Sequence, residues 1–542
     1  ETSYQAPLLL AGIEVQRNNA DAAVTAYRAA ADDAPTAAKA AEALWLLAEA
    51  SNDDEIASGA LATLVANYPI TGRALEALDD PRVVNNPEIT PIQRATVYLN
   101  HRENEDATDA FEAIVDTGGP EDVALAQYNL GILSERTEDW QAAIGYYDAA
   151  IAAVAPGESD NLRAQASWDK GTVLELLGLT SDAITAYAAV SDFSSSAERA
   201  PEGLFRAGYL SYIIGRSDDS FVYWNRYLNV AQAAEDIARG DYWLAEASLA
   251  IGDTDSAATY LAAAANADQL DYYGMRAAAR LTGETALPDA SEVTPQEPDW
   301  NRYEVWLAGW AGPEDEAATA ARNALFAGDS WRGAIDLYEA GLADSADAQF
   351  SALLADNASD AWLTYRLIRA ISEYHRPWIT SPAASGLLGE PDAPPEALQL
   401  MYPLEYWALV RKEAAANGFS PLLLLALIRQ ESLYDPGAVS SANALGLTQV
   451  VPSTAKGIAR DLGVEDFKES DLLTAKTSLQ FGAYYLGTTL IGFGGALPPT
   501  VAGYNAGPGT SGAWWEDASL DPDLFLESVP YAETRLFVEV VQ

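Results

Sequence analysis

Glu431 is the residue of this chain best placed to move a proton. It closes an apolar helical run, LLLLALIRQ (Leu422–Gln430), and a turn-rich loop follows, so its carboxyl is well placed to lose part of its hydration. Lost hydration disfavours the charged form, raises the carboxyl pKa and suits the group to protonating a leaving oxygen. Taken alone, a glutamate at a helix end is more commonly a solvated surface residue, so the inference needs the segments around it. Other chemistries are thin. There is no cysteine, which excludes disulfides, thiolate metal sites and cysteine nucleophiles. The two histidines, His101 and His375, are too few for a multi-histidine metal site and do not suggest a Ser-His-Asp triad; both read as structural. No metal or organic cofactor is expected.

The elements that must position Glu431 can be read locally. A helix over Tyr406–Asn417 is ended by Gly418, Ser420 caps the next helix, and Pro421 takes its first position. That helix ends at Glu431-Ser432. Tyr434-Asp435-Pro436 then makes a turn, followed by Gly446-Leu447-Thr448-Gln449 and a second helix. Farther on come GYNAGPG (Gly503–Gly509) and ESVPYAETRLFV (Glu527–Val538). Asp435 offers itself as a second catalytic carboxylate, but a turn residue ahead of Pro436 is the stronger reading. Trp514 and Trp515 could stack on flat ligand faces or pack in a core.

In this order and at this spacing, residues from Tyr402 to about Val541 resemble the catalytic domain of the soluble lytic transglycosylases. These are lysozyme-superfamily enzymes that cut the glycan strands of peptidoglycan. The resemblance implies that Glu431 is the single catalytic glutamate and that Ser432, Gln449, Tyr504, Asn505 and Glu533 serve substrate binding. Tyr504 is expected to place its hydroxyl near Glu431 and a sugar, and Asn505 to anchor the loop or a sugar amide. Glu527, Pro530, Glu533, Thr534 and Arg535 match the last motif; Glu533 and Arg535 support the groove or form a structural ion pair. The implied reaction cleaves the β-1,4 bond between N-acetylmuramic acid and N-acetylglucosamine and leaves 1,6-anhydromuramic acid. A goose-type lysozyme-like hydrolase and a non-catalytic envelope scaffold that binds glycan and partner proteins are the alternatives.

Three positions depart from the family pattern. Thr448 stands where Met is usual, so glycan contacts near the cleavage point are expected to differ. Asn443 replaces a Gly, a mild change because Asn tolerates the left-handed backbone. Gly503 replaces an Ala.

The chain has 542 residues and a net charge of −49, from 80 acidic and 31 basic residues. Residues 395–542 hold 17 acidic and 8 basic residues, so most of the excess lies upstream. Such a field disfavours nucleic acid and anionic membrane surfaces. It reads as a solubility or high-salt adaptation rather than substrate steering. No apolar run is long enough for a membrane-spanning segment. The chain begins at Glu1 without a signal peptide, as a mature secreted chain or a trimmed one would. The implied location is periplasmic, cell-envelope or secreted, on the strength of the implied substrate.

Upstream of this domain the chain reads as paired helices. Ala124–Pro156 has a tetratricopeptide-like pattern, with Gly131 packing the first helix, Asp139-Trp140 opening the second, and Tyr147 and Ala150 facing its partner. Copies follow at Gly171, Ser181-Asp182 and Tyr187; at Gly208, Ser217-Asp218 and Trp224; and at Ala245, Thr254-Asp255 and Tyr260. Ser or Thr before Asp is expected to cap each second helix. Ala22–Ala34 and Ala43–Tyr68 are weaker copies. Leu287–Trp300 and Arg376–Ala397 read as irregular, with helical pattern between them over Tyr303–Tyr374. The expected fold is all-α: a helical-repeat superhelix over 1–286, a helical linker domain over 287–397 and a lysozyme-like catalytic domain over 398–542. The expected partners are peptidoglycan glycan strands, and other cell-wall proteins through the repeats.

Overall fold

The computed structural model describes the chain except residues 1, 85, 156, 270, 284–297, 313, 385–392, 519–520 and 542. Among the described residues the fold is all-α, with only isolated β-bridges around Leu445. The chain forms two compact units, Glu1–Thr282 and Gly283–Gln542. Most of the expected linker Leu287–Trp300 lies outside the described residues.

In the first unit, helices pair in sequence order. Pro120–Arg136 packs on Trp140–Ala153, Asp160–Leu176 on Thr180–Phe193, Ala200–Ile213 on Ser217–Val230, and Ala234–Ala250 on Thr254–Ala267. The repeat glycines let an aromatic ring lie directly on the first helix. A Cβ at Gly131 would stand 2.5 Å from the Tyr147 ring, at Gly171 2.8 Å from Tyr187, and at Gly208 2.5 Å from Trp224. Where the fourth copy has Ala245, that methyl is fully buried and Tyr260 is only half-buried.

The expected caps need correction. Asp139 and Asp253 cap their helices through side-chain bonds to Ala142 and Ser256. The other two second helices start after Leu179 and Arg216, which make no side-chain cap. Ser181-Asp182, Ser217-Asp218 and Thr254-Asp255 therefore sit inside the first turn, where the acid interacts favourably with the positive end of the peptide dipoles.

Adjacent repeats meet at equivalent positions: four residues after one repeat's small residue and two before the next. At Glu175 and Arg206 this is an ion pair, with Arg206 Nε donating to Glu175 Oε2 at 3.0 Å and the Tyr187 hydroxyl to the same oxygen at 2.9 Å. At Tyr212 and Trp243 it is a T-shaped ring pair with centroids 5.6 Å apart. At Glu135 and Asp169 it is two acids. Tyr147 donates to Glu135, and Tyr128 donates to Asp169 at 2.8 Å. Burial pushes both carboxyls up, and the Asp169 charge adds to the effect on Glu135.

In the second unit, helices between Trp300 and Met401 surround Tyr303, Leu307, Phe350, Leu367 and Ile371. Buried Glu396 ties the two ends of this stretch together, accepting from Arg302 at 2.6 Å and from the Asp299 backbone at 3.0 Å. The expected irregular stretch Arg376–Ala397 is instead partly helical, over Pro377–Ala384 and from Pro395, with 385–392 outside the described residues. Its prolines argued against a helix, yet Pro377 and Pro395 each open one, where a missing N–H is tolerated. His375, just before the first of these helices, is exposed, and its Nδ1 lies 3.2 Å from Glu405.

The remaining helices build around Ala475–Gly492, whose Leu479, Phe481 and Leu486 are fully buried. Trp407–Asn417 ends at Gly418 with φ +77°, and Pro421–Ser432 starts at Ser420, whose hydroxyl accepts from the Leu422 N–H.

Replacing Gly171 by Ala is expected to destabilise the chain by about 1–3 kcal/mol, because the methyl meets a ring that cannot recede. Gly145→Ala, at a helical site with nothing within 4 Å of the new Cβ, is expected to stabilise by roughly 0.5–1 kcal/mol. Urea unfolding followed by circular dichroism distinguishes the two.

Candidate active site

Glu431 occupies the last turn of Pro421–Ser432, whose other face is filled by Leu423, Leu424, Leu427 and Ile428. The chain leaves this helix through two successive left-handed residues, Leu433 (φ +50°) and Tyr434 (φ +68°). Their N–H groups close on Arg429 O at 2.9 Å and Ile428 O at 3.3 Å, which reverses the chain sharply and leaves Glu431 at the rim of the turn.

Three conditions hold the Glu431 carboxyl in its neutral form. It is half-buried. It lies at the negative end of the helix dipole. The charge that acts on it is that of another acid, Glu533. Burial is the larger cause and the Glu533 carboxylate adds to it, so the pKa is pushed up to about 8. The nearby cation in sequence, Arg429, is directed elsewhere: its guanidinium lies 4.6 Å from the centre of the Tyr402 ring and its Nε donates to Met401 O at 3.4 Å.

The Gly446–Gln449 segment forms the opposing wall. β-Bridges join Leu445 to Val439 and to Val450. Gly446 has φ +74°, and a Cβ there would stand 1.9 Å from Leu472 O, so only glycine fits. Gln449 is also left-handed, at φ +46°, a strained state for a residue with a Cβ. Its Nε2 donates to Ala438 O at 3.1 Å and Gly446 O at 2.8 Å, which leaves Oε1 as the acceptor end of the amide. The Ser432 hydroxyl lies 2.9 Å from both Ile428 O and Leu447 O, tying the glutamate helix to this wall.

Tyr504 comes from Leu497–Ala506. It is buried, its hydroxyl donates to Thr448 O at 2.8 Å, and its ring stands edge-on to Tyr485 at 5.1 Å. Burial, and then the nearness of Glu431, hold its pKa well above the ordinary value. Asn505, expected on a loop, sits instead in the last turn of this helix; it is exposed, and its Oδ1 accepts from Thr534 at 2.6 Å, which fastens that turn to the last helix. The site therefore gathers Glu431, Tyr504 and Glu533, with Ser432 and Gln449 fixing the wall and Asn505 joining the Tyr504 helix to the last helix.

Several expectations change. Thr448 is fully buried and does not line a groove; its side chain turns to the Ala475–Gly492 helix. Arg535 lies 3.9 Å from buried Glu527, while Glu533 is exposed and acts on Glu431. Asp435 accepts from the Gly437 N–H at 2.8 Å, as a turn residue does. Trp514 and Trp515 are half-buried and meet Tyr531 and Phe525 edge-on, at 5.2 and 5.5 Å. Asn443 takes φ +60°, and Gly503 lies under Phe493, where a Cβ would stand 3.2 Å away. Sequence reading missed Ser478, Gly482 and Tyr485. Their i, i+4, i+7 spacing on one helix was the available signal.

Residues 408–521 match the family model of the transglycosylase SLT domain, and residues 92–158 that of a tetratricopeptide repeat. The C-terminal region of this chain is an SLT domain. It is 32% identical over 147 residues to the soluble lytic murein transglycosylase of Salmonella typhimurium and 35% identical over 150 residues to a putative soluble lytic murein transglycosylase of Haemophilus influenzae. Each match covers 27% of this chain, and 23% and 25% of those relatives, so it spans about a quarter of their length. A lytic transglycosylase from Pseudomonas aeruginosa superposes with a TM-score of 0.62 at 18% identity, covering 99% of this chain and 79% of that one. The 70-kDa soluble lytic transglycosylase bound to bulgecin A gives 0.52 at 17% identity, covering 99% and 87%. At these identities the likeness is one of fold: helical repeats followed by an SLT domain.

The linkage sign is set by a raised carboxyl pKa. Between the ordinary value of 4.5 and about 8, the folded state binds the proton that the unfolded state has released, so stability falls as pH rises through that window. Glu431→Gln removes this penalty. It is expected to raise stability by roughly 1–3 kcal/mol at pH 8, allowing for partial solvation, and by about 1 kcal/mol or less at pH 5. Urea midpoints of both proteins at the two pH values check it.

Proposed function

We propose that this protein is a peptidoglycan lytic transglycosylase in which Glu431 acts first as general acid and then as general base. The observation that carries the proposal is a glutamate kept protonated near neutrality by burial and a like charge, with Tyr504 beside it, in an SLT domain. Protonated Glu431 donates to the glycosidic oxygen between N-acetylmuramic acid and N-acetylglucosamine, and the C1–O bond breaks. The 2-acetamido carbonyl of the substrate stabilises the positive charge that develops at C1. The Glu431 carboxylate then takes the proton of the muramyl 6-hydroxyl as its oxygen bonds to C1, which forms the 1,6-anhydro ring. The proton given up is recovered, so one carboxyl suffices where most glycosidases use two.

The other residues have supporting roles in this reading. The free Oε1 of Gln449 accepts from a sugar hydroxyl or amide, and exposed Glu533 faces the glycan. Ser432 and Asn505 hold the groove's walls. Residues 398–542 form the catalytic domain, 287–397 a helical connector, and 1–286 a superhelix that guides glycan strands or docks other cell-wall proteins. The site of action is the periplasm or cell envelope, where that substrate lies. Among the described residues no helix is long and apolar enough to cross a membrane.

Mass spectrometry of purified peptidoglycan treated with the protein is expected to show anhydromuropeptides from the wild type and none from Glu431→Gln. Reducing-end products would make the protein a hydrolase; glycan binding without products from either would make it a scaffold. Because the Glu533 charge raises the Glu431 pKa, Glu533→Gln is expected to move the alkaline limb of the pH–rate profile to lower pH, by up to roughly one unit.

A further inference from the structure

The side chain of Thr448 enters a closed polar contact with the start of the Ala475–Gly492 helix. Its Oγ1 donates to Ser478 O at 2.9 Å. The Ser478 hydroxyl lies 3.1 Å from Thr448 Oγ1 and accepts from the Thr448 N–H at 3.1 Å. The protons balance: Thr448 Oγ1 gives to the Ser478 carbonyl, Ser478 Oγ gives to Thr448 Oγ1, and Ser478 Oγ receives the Thr448 N–H. All three contacts are buried. Gly482, one turn on, makes room for them. A Cβ there would stand 2.3–2.5 Å from the Cβ, Cγ2 and Oγ1 of Thr448.

The backbone of the same residue faces the catalytic side. Its carbonyl receives the Tyr504 hydroxyl at 2.8 Å. Tyr485, on the face of the helix that carries Ser478 and Gly482, packs edge-on against the Tyr504 ring. One helix face thus anchors both the carbonyl that holds the Tyr504 hydroxyl and the ring that holds its edge. Thr448 also lies between left-handed Gly446 and Gln449, so its side-chain bonds restrain a segment whose backbone is not otherwise at rest.

We propose that Thr448 is a positioning residue for the reaction of Glu431: its hydroxyl, locked to Ser478, fixes the carbonyl that holds Tyr504 against the acid. This rests on the activity proposed above. If the lock fails, the Tyr504 ring loses its hold and water reaches Glu431, so the acid form is no longer maintained near neutrality.

The test compares Thr448→Val, which keeps the shape and removes the hydroxyl, with Thr448→Ser, which keeps the hydroxyl. In the full chain, Thr448→Val is expected to lower kcat on peptidoglycan by about tenfold with KM changed less than about twofold. Its alkaline pH–rate limb should move to lower pH by roughly one unit, and Thr448→Ser should stay within about twofold of the wild type with its limb in place. A Val variant with the wild-type profile overturns the proposal. So does equal loss in both variants, or a loss of kcat with an unmoved limb, each of which reduces Thr448 to a packing residue. A second measurement needs no turnover. The stabilisation produced by Glu431→Gln at pH 8 should shrink in the Thr448→Val background and persist in the Thr448→Ser background. If the Val background leaves it unchanged, the lock does not act on Glu431, whatever reaction the site performs. If the wild type forms no products but the coupling is found, the activity reading fails and the positioning of Glu431 stands.

Discussion

A carboxyl group at the end of an apolar helix, half out of water and facing another acid, imposes the main constraint on this domain. Burial favours the proton, and Glu533 in place of a cation favours it further. A single arginine within reach would restore the anion, and the neighbouring Arg429 is held on Tyr402 instead. The reactive property is thus one of surroundings rather than of glutamate as such. It persists only while the walls around the carboxyl stay closed.

Those walls are built from backbone as much as from side chains. Ser432 grips Leu447 O, Tyr504 grips Thr448 O, and Gln449 folds its own amide back onto Ala438 and Gly446. A short loop with three left-handed residues, Asn443, Gly446 and Gln449, would sample many states if free. Here the Ser440, Ala444, Gly446 and Thr448 N–H groups and the Gln449 amide all have partners that pin it. Preorganisation of this kind means that little rearrangement is left to the reaction step itself.

The sequence was legible where physics is local. Gly418, Ser420 and Pro421 marked helix ends because capping and φ preferences act within a few residues. Gly131, Gly171 and Gly208 marked repeats because a ring can lie on a helix only where a side chain is missing. Glu431 was legible from its apolar run and the motifs that follow it. Legibility failed where distant segments decide. The inward turn of Thr448 depends on Ser478 and Gly482, some thirty residues away. The role of Glu533 depends on its folding back beside Glu431, and its neighbour Arg535 lies instead near Glu527. The helices opened by Pro377 and Pro395 were hidden because a proline reads as a breaker until its position in the turn is known.

The three joints of the repeat array differ in kind at equivalent positions: acid on acid, acid on arginine, ring on ring. In a one-dimensional stack, the coupling between neighbours decides how far an opening fluctuation travels. The arginine and the rings add attraction across their joints. Beside Glu135 and Asp169 the attraction comes from the Tyr128 hydroxyl, which crosses to Asp169, and from Lys170, which reaches back to Asp148 at 2.6 Å. Added salt screens the ion pairs at the first two joints and leaves the ring pair at the third, so the joints differ in their response to ionic strength. An array that looks uniform in its backbone thus changes its side-chain chemistry from one joint to the next.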